Sequence, residues 1–226
     1  MTTAHTTTPA TTSATTAVLV PVKRATRAKS RLAPLGDTAR RRLATAFAAD
    51  TVSAVLACPA VARVLVVTDD HELAEDLRRL GAEVIPDGAD DLNGTLVQAA
   101  AEVHRRDPSL RLAAVCADLP SLRPEDLALA LAAAPADRMS FVPDAARTGT
   151  TVLIAPGVED FRPAFGPGSR DAHLDQGALE LDGLGVPGLR RDVDDPADLA
   201  DALALGAGPR TSAVAHELDL GPGGGR

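Results

Sequence analysis

Short apolar runs alternate with longer stretches of helical spacing along most of this chain. The first run, at residues 17–22, lacks polar alternation, which predicts a strand covered on both faces. Strands are predicted at residues 17–22, 64–68, 83–85, 112–117, 140–142, 151–155 and 189–193. Elsewhere apolar residues recur every three or four positions, so helices are predicted at residues 40–57, 72–80, 93–106, 124–133 and 197–205. This order is typical of an α/β domain with a mostly parallel sheet and helices on both faces.

The pattern fades at both ends of the chain and within one internal stretch. Residues 1–16 are rich in Thr and residues 215–226 end in a Gly-rich run, so we expect two disordered tails around a domain at residues 17–214. Residues 144–182 hold many Gly and Pro, and a long irregular stretch of this kind is usually functional or disordered. Ligands of α/β sheets bind at the carboxyl ends of strands, so the residues that follow each strand are the candidates.

Composition narrows the class of protein. Aromatic residues make up only 2% of the 226 residues, so the core must consist mainly of Ala, Val and Leu. The net charge of −8 disfavours a nucleic-acid partner. Cys58 and Cys116 lie in no metal-binding or CxxC spacing, so we expect two reduced thiols. No apolar run could span a bilayer and no signal-peptide pattern is present, so we expect a cytoplasmic protein without a membrane partner.

A basic segment follows the first predicted strand. Residues 23–31 hold five basic residues in nine positions, among them Lys23 and Lys29, the only lysines of the chain. Lysine is a compact charge suited to phosphate, and Arg31 adds a bidentate donor. The position before a helix suits a triphosphate, although a solvated basic loop is the alternative. The sequence contains neither a GxxxxGK[ST] loop nor a GxGxxG motif.

Aspartates follow two other predicted strands. Asp118 ends the strand at residues 112–117 and could hold Mg²⁺ under a nucleotide, or could cap the next helix. Asp192 and Asp194 would point to one face of a late strand and could join Asp118 around a cation. Asp195 is better explained as a helix cap.

Small and polar residues mark a third group of candidates, in or beside the irregular stretch. Thr150, Gly166 and Ser169 offer hydroxyls and backbone N–H groups that could bind a phosphate or a carboxylate, and ordinary turn chemistry is the alternative. His173 could help to bind an anion, but a lone His is more often structural. Asn93 is either a helix cap or a contact to ribose or base.

Taken together, these segments resemble the phosphoenolpyruvate/2-phospholactate guanylyltransferases, the CofC/FbiD family. The likeness spans about Val18 to Ala213 and rests on the order and spacing of several short motifs. These motifs are Val20–Lys23, Ala28–Leu32, Thr68–Asp70, Leu92–Asn93, Asp118–Pro120, Gly149–Thr150, Phe165–Gly166, Ser169, His173 and Asp192–Asp194. The resemblance implies a nucleotidyltransferase fold of the glycosyltransferase-A type.

The resemblance also implies a chemistry. GTP and phosphoenolpyruvate would be the substrates, Mg²⁺ the cofactor, and the product a precursor of the deazaflavin coenzyme F-420. Thr150, Gly166 and Ser169 would hold phosphoenolpyruvate, while Asp118 with Asp192 or Asp194 would hold Mg²⁺. Whether the protein forms a homodimer is left open.

One position departs from the family pattern. Members of the actinobacterial type, which the Ala- and Arg-rich composition resembles, often carry Arg immediately before this His, whereas this chain has Ala172 there and Arg170 two residues earlier. Either Arg170 substitutes for that Arg, or the acceptor is bound through other contacts.

The hypothesis is an in-line transfer in which an acceptor phosphate oxygen attacks the α-phosphorus of GTP. Lys23, Lys29 and Arg31 would bind the β- and γ-phosphates of the leaving pyrophosphate. Alternative acceptors are 2-phospholactate and a phosphoglycerate. An alternative of another class is a non-catalytic nucleotide-binding regulator.

Overall fold

The structure is a computed structural model that describes residues 15–22, 30–89 and 91–220. The strands are β1 (Thr16–Pro21), β2 (Val61–Val67), β3 (Glu83–Ile85), β4 (Arg111–Val115), β5 (Ser140–Pro143), β6 (Thr150–Ala155) and β7 (Leu179–Glu180). The α-helices are α1 (Asp37–Ala57), α2 (His71–Leu80), α3 (Leu92–Arg106), α4 (Pro124–Ala133), α5 (Ser169–Asp175), α6 (Pro187–Arg190), α7 (Pro196–Leu205) and α8 (Pro209–Glu217). Two short 3-10 helices span Ser30–Leu35 and Val158–Asp160.

The seven strands form one sheet in the order β3-β2-β1-β4-β6-β5-β7. β1 pairs parallel with β2 and β4, β2 with β3, and β5 with β7. β6 runs antiparallel to both of its neighbours, β4 and β5. The predicted mostly parallel sheet is therefore confirmed.

Alternate residues of the strands face two separate apolar clusters. Val18 and Val20 of β1 belong to the cluster under α1, α2 and α4, whereas Ala17 and Leu19 belong to the cluster under α3. A strand that is apolar at every position can be buried on both faces at once. Helices therefore cover both faces of the sheet, as predicted.

A third apolar cluster lies beside the sheet and joins segments far apart in sequence. Its buried members are Leu32, Leu43, Phe47, Val193, Leu199 and Ala202. They connect the 3-10 helix Ser30–Leu35, α1 and α7 to the segment between α6 and α7, and α8 packs against them through Val214. This cluster ties the end of the basic segment to the region of the late aspartates.

The strand predicted at residues 189–193 is wrong. Leu189 lies in the short helix α6, and residues 191–194 have no regular secondary structure and join no strand of the described residues. Leu189 and Val193 are both fully buried, but in two different apolar clusters. Burial explains why these two residues are apolar, and burial does not require strand pairing.

Regular structure continues nearly to both ends of the described residues. α8 runs from Pro209 to Glu217, and Ala215 is buried. At the other end Thr16 already begins β1 and is buried. Residues 1–14 and 221–226 of the two predicted tails lie outside the described residues. Within the described ranges, every helix is too short or too polar to cross a membrane.

Candidate active site

The three predicted metal-binding aspartates meet at the carboxyl end of β4. Asp118 lies in the turn after β4, and Asp192 and Asp194 lie on the segment between α6 and α7. One carboxylate oxygen from each residue lies within 4.8 Å of the others. The backbone N–H of Val193 donates to the carbonyl oxygen of Asp118 at 3.0 Å, which holds the two segments together. Three convergent carboxylates are a donor set that suits a hard divalent cation such as Mg²⁺.

A residue that sequence reasoning missed fixes the turn that carries Asp118. Thr51 of α1 is fully buried. Its hydroxyl donates to the carbonyl oxygen of Ala117 at 3.3 Å and accepts from the N–H of Leu119 at 3.1 Å. Both backbone neighbours of Asp118 are thus bonded to one side chain. In the sequence, the sole local signal of this role is a Thr within an otherwise apolar helix face.

The end of the basic segment lies beside the acidic cluster. Nη1 of Arg31 is 3.9 Å from Oδ2 of Asp194, and both side chains are largely exposed. The next residue, Leu32, is fully buried in the third apolar cluster and anchors Arg31 there. Lys23 and Lys29 lie outside the described residues, so their predicted phosphate contacts stay predictions.

The predicted acceptor residues come from β6 and α5. Thr150 begins β6 and Ser169 begins α5, and both are buried. A Cβ placed on Gly149 would lie 2.5 Å from a carboxylate oxygen of Asp144. Glycine at position 149 therefore leaves room for the Asp144 side chain, which accepts the N–H of Thr148 at 2.8 Å within the β5–β6 turn.

His173 connects the start of β6 to the loop that precedes α5. Its Nδ1 lies 2.9 Å from Oγ1 of Thr150, and its Nε2 accepts the backbone N–H of Ala164 at 3.0 Å. The ring is fully buried, and this burial lowers the pKa of His173 to about 4. Because Nε2 is an acceptor, the neutral ring carries its proton on Nδ1 and donates towards Thr150. A direct contact to an anion would require one of these bonds to break, so the geometry favours the structural alternative for His173.

Asn93 is not the cap of α3. The side chain of Asp91 caps this helix, since it accepts from the N–H groups of Asn93 and Gly94. The amide of Asn93 instead pairs with the backbone of Phe165, donating at 3.1 Å and accepting at 2.8 Å. This pair positions Gly166, whose φ of +139° favours glycine. A ribose or base contact by Asn93 stays a prediction.

An ion-pair network that the sequence did not reveal lies next to the acceptor residues. Arg170 binds Glu180 at 2.7 Å and Asp171 at 3.3 Å. Arg147 binds the other oxygen of Glu180 and also Asp182. The guanidinium of Arg170 is therefore held by β7, and its side chain remains a quarter exposed.

The chain is similar to a known protein family and to several relatives of one name. A family described as "Guanylyl transferase CofC like" matches residues 16–220. The chain is 52% identical over 203 residues to a phosphoenolpyruvate guanylyltransferase of Thermomonospora curvata, covering 89% of each chain. It is 52% identical over 204 residues to a protein of the same name in Streptomyces coelicolor, covering 89% of this chain and 96% of the relative.

Solved structures show the same fold at much lower identity. A protein from Desulfovibrio desulfuricans G20 described as a nucleotide-diphospho-sugar transferase superposes with a TM-score of 0.67 at 16% identity, covering 90% of this chain and 95% of that one. A nucleotidyl transferase from Methanothermobacter superposes with a TM-score of 0.57 at 17% identity, covering 84% and 97%. These likenesses confirm the predicted fold.

Proposed function

Because the chain belongs to the family of CofC-like guanylyl transferases, we propose that it transfers the guanylyl group of GTP to phosphoenolpyruvate and releases pyrophosphate. The product is enolpyruvoyl-2-diphospho-5′-guanosine, a precursor in deazaflavin coenzyme F-420 biosynthesis. The observation that carries the proposal is the convergence of Asp118, Asp192 and Asp194 at the carboxyl end of β4, the edge of the sheet at which α/β folds bind ligands.

The chain's own residues divide between the two substrates. The basic segment that ends at Arg31 binds the triphosphate, and the position of Arg31 beside Asp194 supports this assignment. Thr150, Gly166 and Ser169 bind the acceptor through hydroxyl and backbone groups. His173 positions Thr150 through a hydrogen bond to its hydroxyl. Asn93 positions Gly166 through its hydrogen bonds to the neighbouring Phe165.

The reaction is a single displacement. A phosphate oxygen of the acceptor forms a bond to the α-phosphorus of GTP, and the bond from that phosphorus to the bridging oxygen of pyrophosphate breaks. A phosphate oxygen is already ionised near neutral pH, so no protein base has to remove a proton. The task of the protein is to align the two anions and to offset their charge.

A divalent cation fits the donor set, and we assign it to Asp118, Asp192 and Asp194. When bound, Mg²⁺ would neutralise the phosphate charge that these carboxylates alone would repel. Guanine preference and the phosphoenolpyruvate acceptor are parts of the same proposal, supported by the names of the relatives. A cytoplasmic location belongs to the proposal as well.

The test supplies GTP or ATP with phosphoenolpyruvate, 2-phospholactate or a phosphoglycerate, and identifies products by mass spectrometry. We expect a guanylylated product and pyrophosphate from GTP with phosphoenolpyruvate. If another acid is preferred, only the acceptor assignment has to be corrected. If no acid leads to release of pyrophosphate, the transferase assignment is refuted.

A separate variant tests the assignment of the cation to these aspartates. Asp118→Asn keeps the shape of the side chain but removes its charge, and we expect kcat to fall by roughly 100-fold or more. Asp137→Asn is the matched control, because Asp137 is exposed and precedes β5 at the opposite edge of the sheet. Full activity of Asp118→Asn would contradict the assignment.

A further inference from the structure

The segment between α6 and α7 carries two of the three clustered carboxylates, and one side chain of α7 contacts it at both ends. Oδ2 of Asp198 accepts the backbone N–H of Asp194 at 3.1 Å and that of Asp195 at 3.2 Å. Oδ1 of Asp198 accepts from Nη1 of Arg191 at 3.2 Å. The two oxygens of a single carboxylate therefore span the residues on both sides of Asp192 and Val193.

The contacts of alternate residues explain why this contact controls the direction of the aspartates. Arg191 and Val193 contact α7, where Val193 packs with Leu199 in the third apolar cluster. Asp192 and Asp194 instead lie close to Asp118.

The contact is reciprocal, and Asp198 has a cation beside it. Oδ1 of Asp195 accepts the N–H of Asp198 at 3.0 Å, which closes a capping box at the start of α7. The guanidinium of Arg191 partly offsets the charge of Asp198 and also binds Asp201 at 3.3 Å. Asp198 is three-quarters buried, and the bonds that it accepts from Arg191 and the backbone hold its carboxylate in place.

We propose that Asp198 is a positioning residue for the cation site, because it fixes the spacing of Asp192 and Asp194 before a cation binds. This inference rests on the proposed function, since it needs the three aspartates to bind a divalent cation. Three neighbouring carboxylates repel one another, and a segment held only at Val193 could relax away from Asp118. Holding it in place lowers the cost of bringing the carboxylates together around the ion.

The experiment measures Mn²⁺ binding to the full chain without nucleotide, by the electron paramagnetic resonance signal of free Mn²⁺. We expect Asp198→Ala to raise the Kd for Mn²⁺ at least tenfold. Asp201→Ala is the matched control, because it removes the other carboxylate partner of Arg191 but has no bond to the backbone of Asp194. We expect its Kd to stay within twofold of wild type.

A second readout separates positioning from helix capping. If Asp198 only capped α7, its loss would lower the unfolding temperature but leave Mn²⁺ affinity unchanged, and that result would overturn the inference. In turnover assays we expect the half-saturating Mg²⁺ concentration of Asp198→Ala to rise by a larger factor than kcat falls.

The remaining outcomes are also decisive. Equal weakening by Asp201→Ala would overturn the role of the backbone contact. If Asp198→Ala does not fold, Asp198→Asn decides, since it keeps the size and one acceptor oxygen and should raise the Kd about threefold. An unchanged Kd in that variant would overturn the inference and leave the proposed transfer intact. Absence of Mn²⁺ binding by wild type would refute the cation site itself, and the inference with it.

Discussion

At the scale of single residues, His173 shows how a polar side chain can serve a site without entering it. Its ring lies 5.6 Å from the rings of both Phe141 and Phe165, measured between centroids. In these surroundings the neutral ring is strongly favoured, and its two nitrogens are used for Thr150 and Ala164. The residue joins two loops of the acceptor site through one fixed tautomer.

This environment makes stability depend on pH. Burial lowers the pKa of His173 from 6.5 to about 4, so between these values the unfolded chain binds a proton that the folded chain does not. The contribution of His173 is complete above pH 6.5 and is lost progressively as the pH falls towards 4. We expect wild type to lose about 2 kcal/mol of unfolding free energy between pH 7 and pH 5 from this group.

The measurement is urea unfolding at both pH values. His173→Gln is the control, because glutamine can accept from Ala164 and donate to Thr150 but does not titrate. We expect its unfolding free energy to change much less over this interval. An equal loss in both proteins would assign the dependence to other groups.

At the scale of elements, α8 is attached to α1 by a buried carboxylate. Asp50 of α1 is only 6% exposed and accepts the N–H groups of Arg210 at 3.2 Å and Thr211 at 2.7 Å. These are first-turn donors of α8, whose own N-cap residue, Gly208, supplies no side chain. An anion at a helix N-terminus also interacts favourably with the helix dipole. Asp50 therefore caps a helix that begins about 160 residues later.

We expect Asp50→Ala to lower the free energy of unfolding by about 2 kcal/mol, because two N–H donors at the start of α8 lose their buried partner. Arg42→Ala is the matched control, since Arg42 and Glu217 form an exposed ion pair between the same two helices. Exposed pairs contribute about 1 kcal/mol or less. Thermal and denaturant unfolding check both values, and an equal effect would contradict the capping role.

At the scale of the whole molecule, separate apolar clusters support the two halves of the site. Phe141 lies in the cluster under α3 and contacts His173, so it supports the acceptor residues. Phe47 lies in the third cluster with Leu32 and Val193, so it supports the basic segment and the late aspartates. The two rings are both almost fully buried.

Matched substitutions of these rings should separate the two halves. We expect Phe47→Leu and Phe141→Leu each to cost about 1 to 2 kcal/mol of stability, because both leave a comparable cavity. Phe141→Leu should raise KM for the acceptor, and Phe47→Leu should raise the half-saturating Mg²⁺ concentration. The measurement is steady-state kinetics in which the acceptor and Mg²⁺ concentrations are varied in turn. Identical kinetic changes in both variants would show that the two halves of the site are not supported separately.

Local patterns were sufficient for most of the elements. The helix at Pro124–Ala133 and the strand at Glu83–Ile85 match their predicted bounds, and Gly81 ends α2 in the left-handed conformation. α1 begins at Asp37, three residues before its predicted start. The late strand failed because two apolar residues four positions apart, Leu189 and Val193, indicate burial but do not distinguish a strand from a short helix followed by irregular chain.

The sequence by itself therefore determined the α/β class, most of the strands and helices, and the residue types that could meet a nucleotide and a cation. Only the tertiary structure decided which of them meet. Thr51 bonds to Ala117 and Leu119, Asn93 to Phe165, and Asp50 to α8, over separations that no local pattern records. Periodicity shows which face of an element is buried, because burial acts on each element separately. Which hydrogen-bond donor of one element meets which acceptor of another depends on how all the elements pack together.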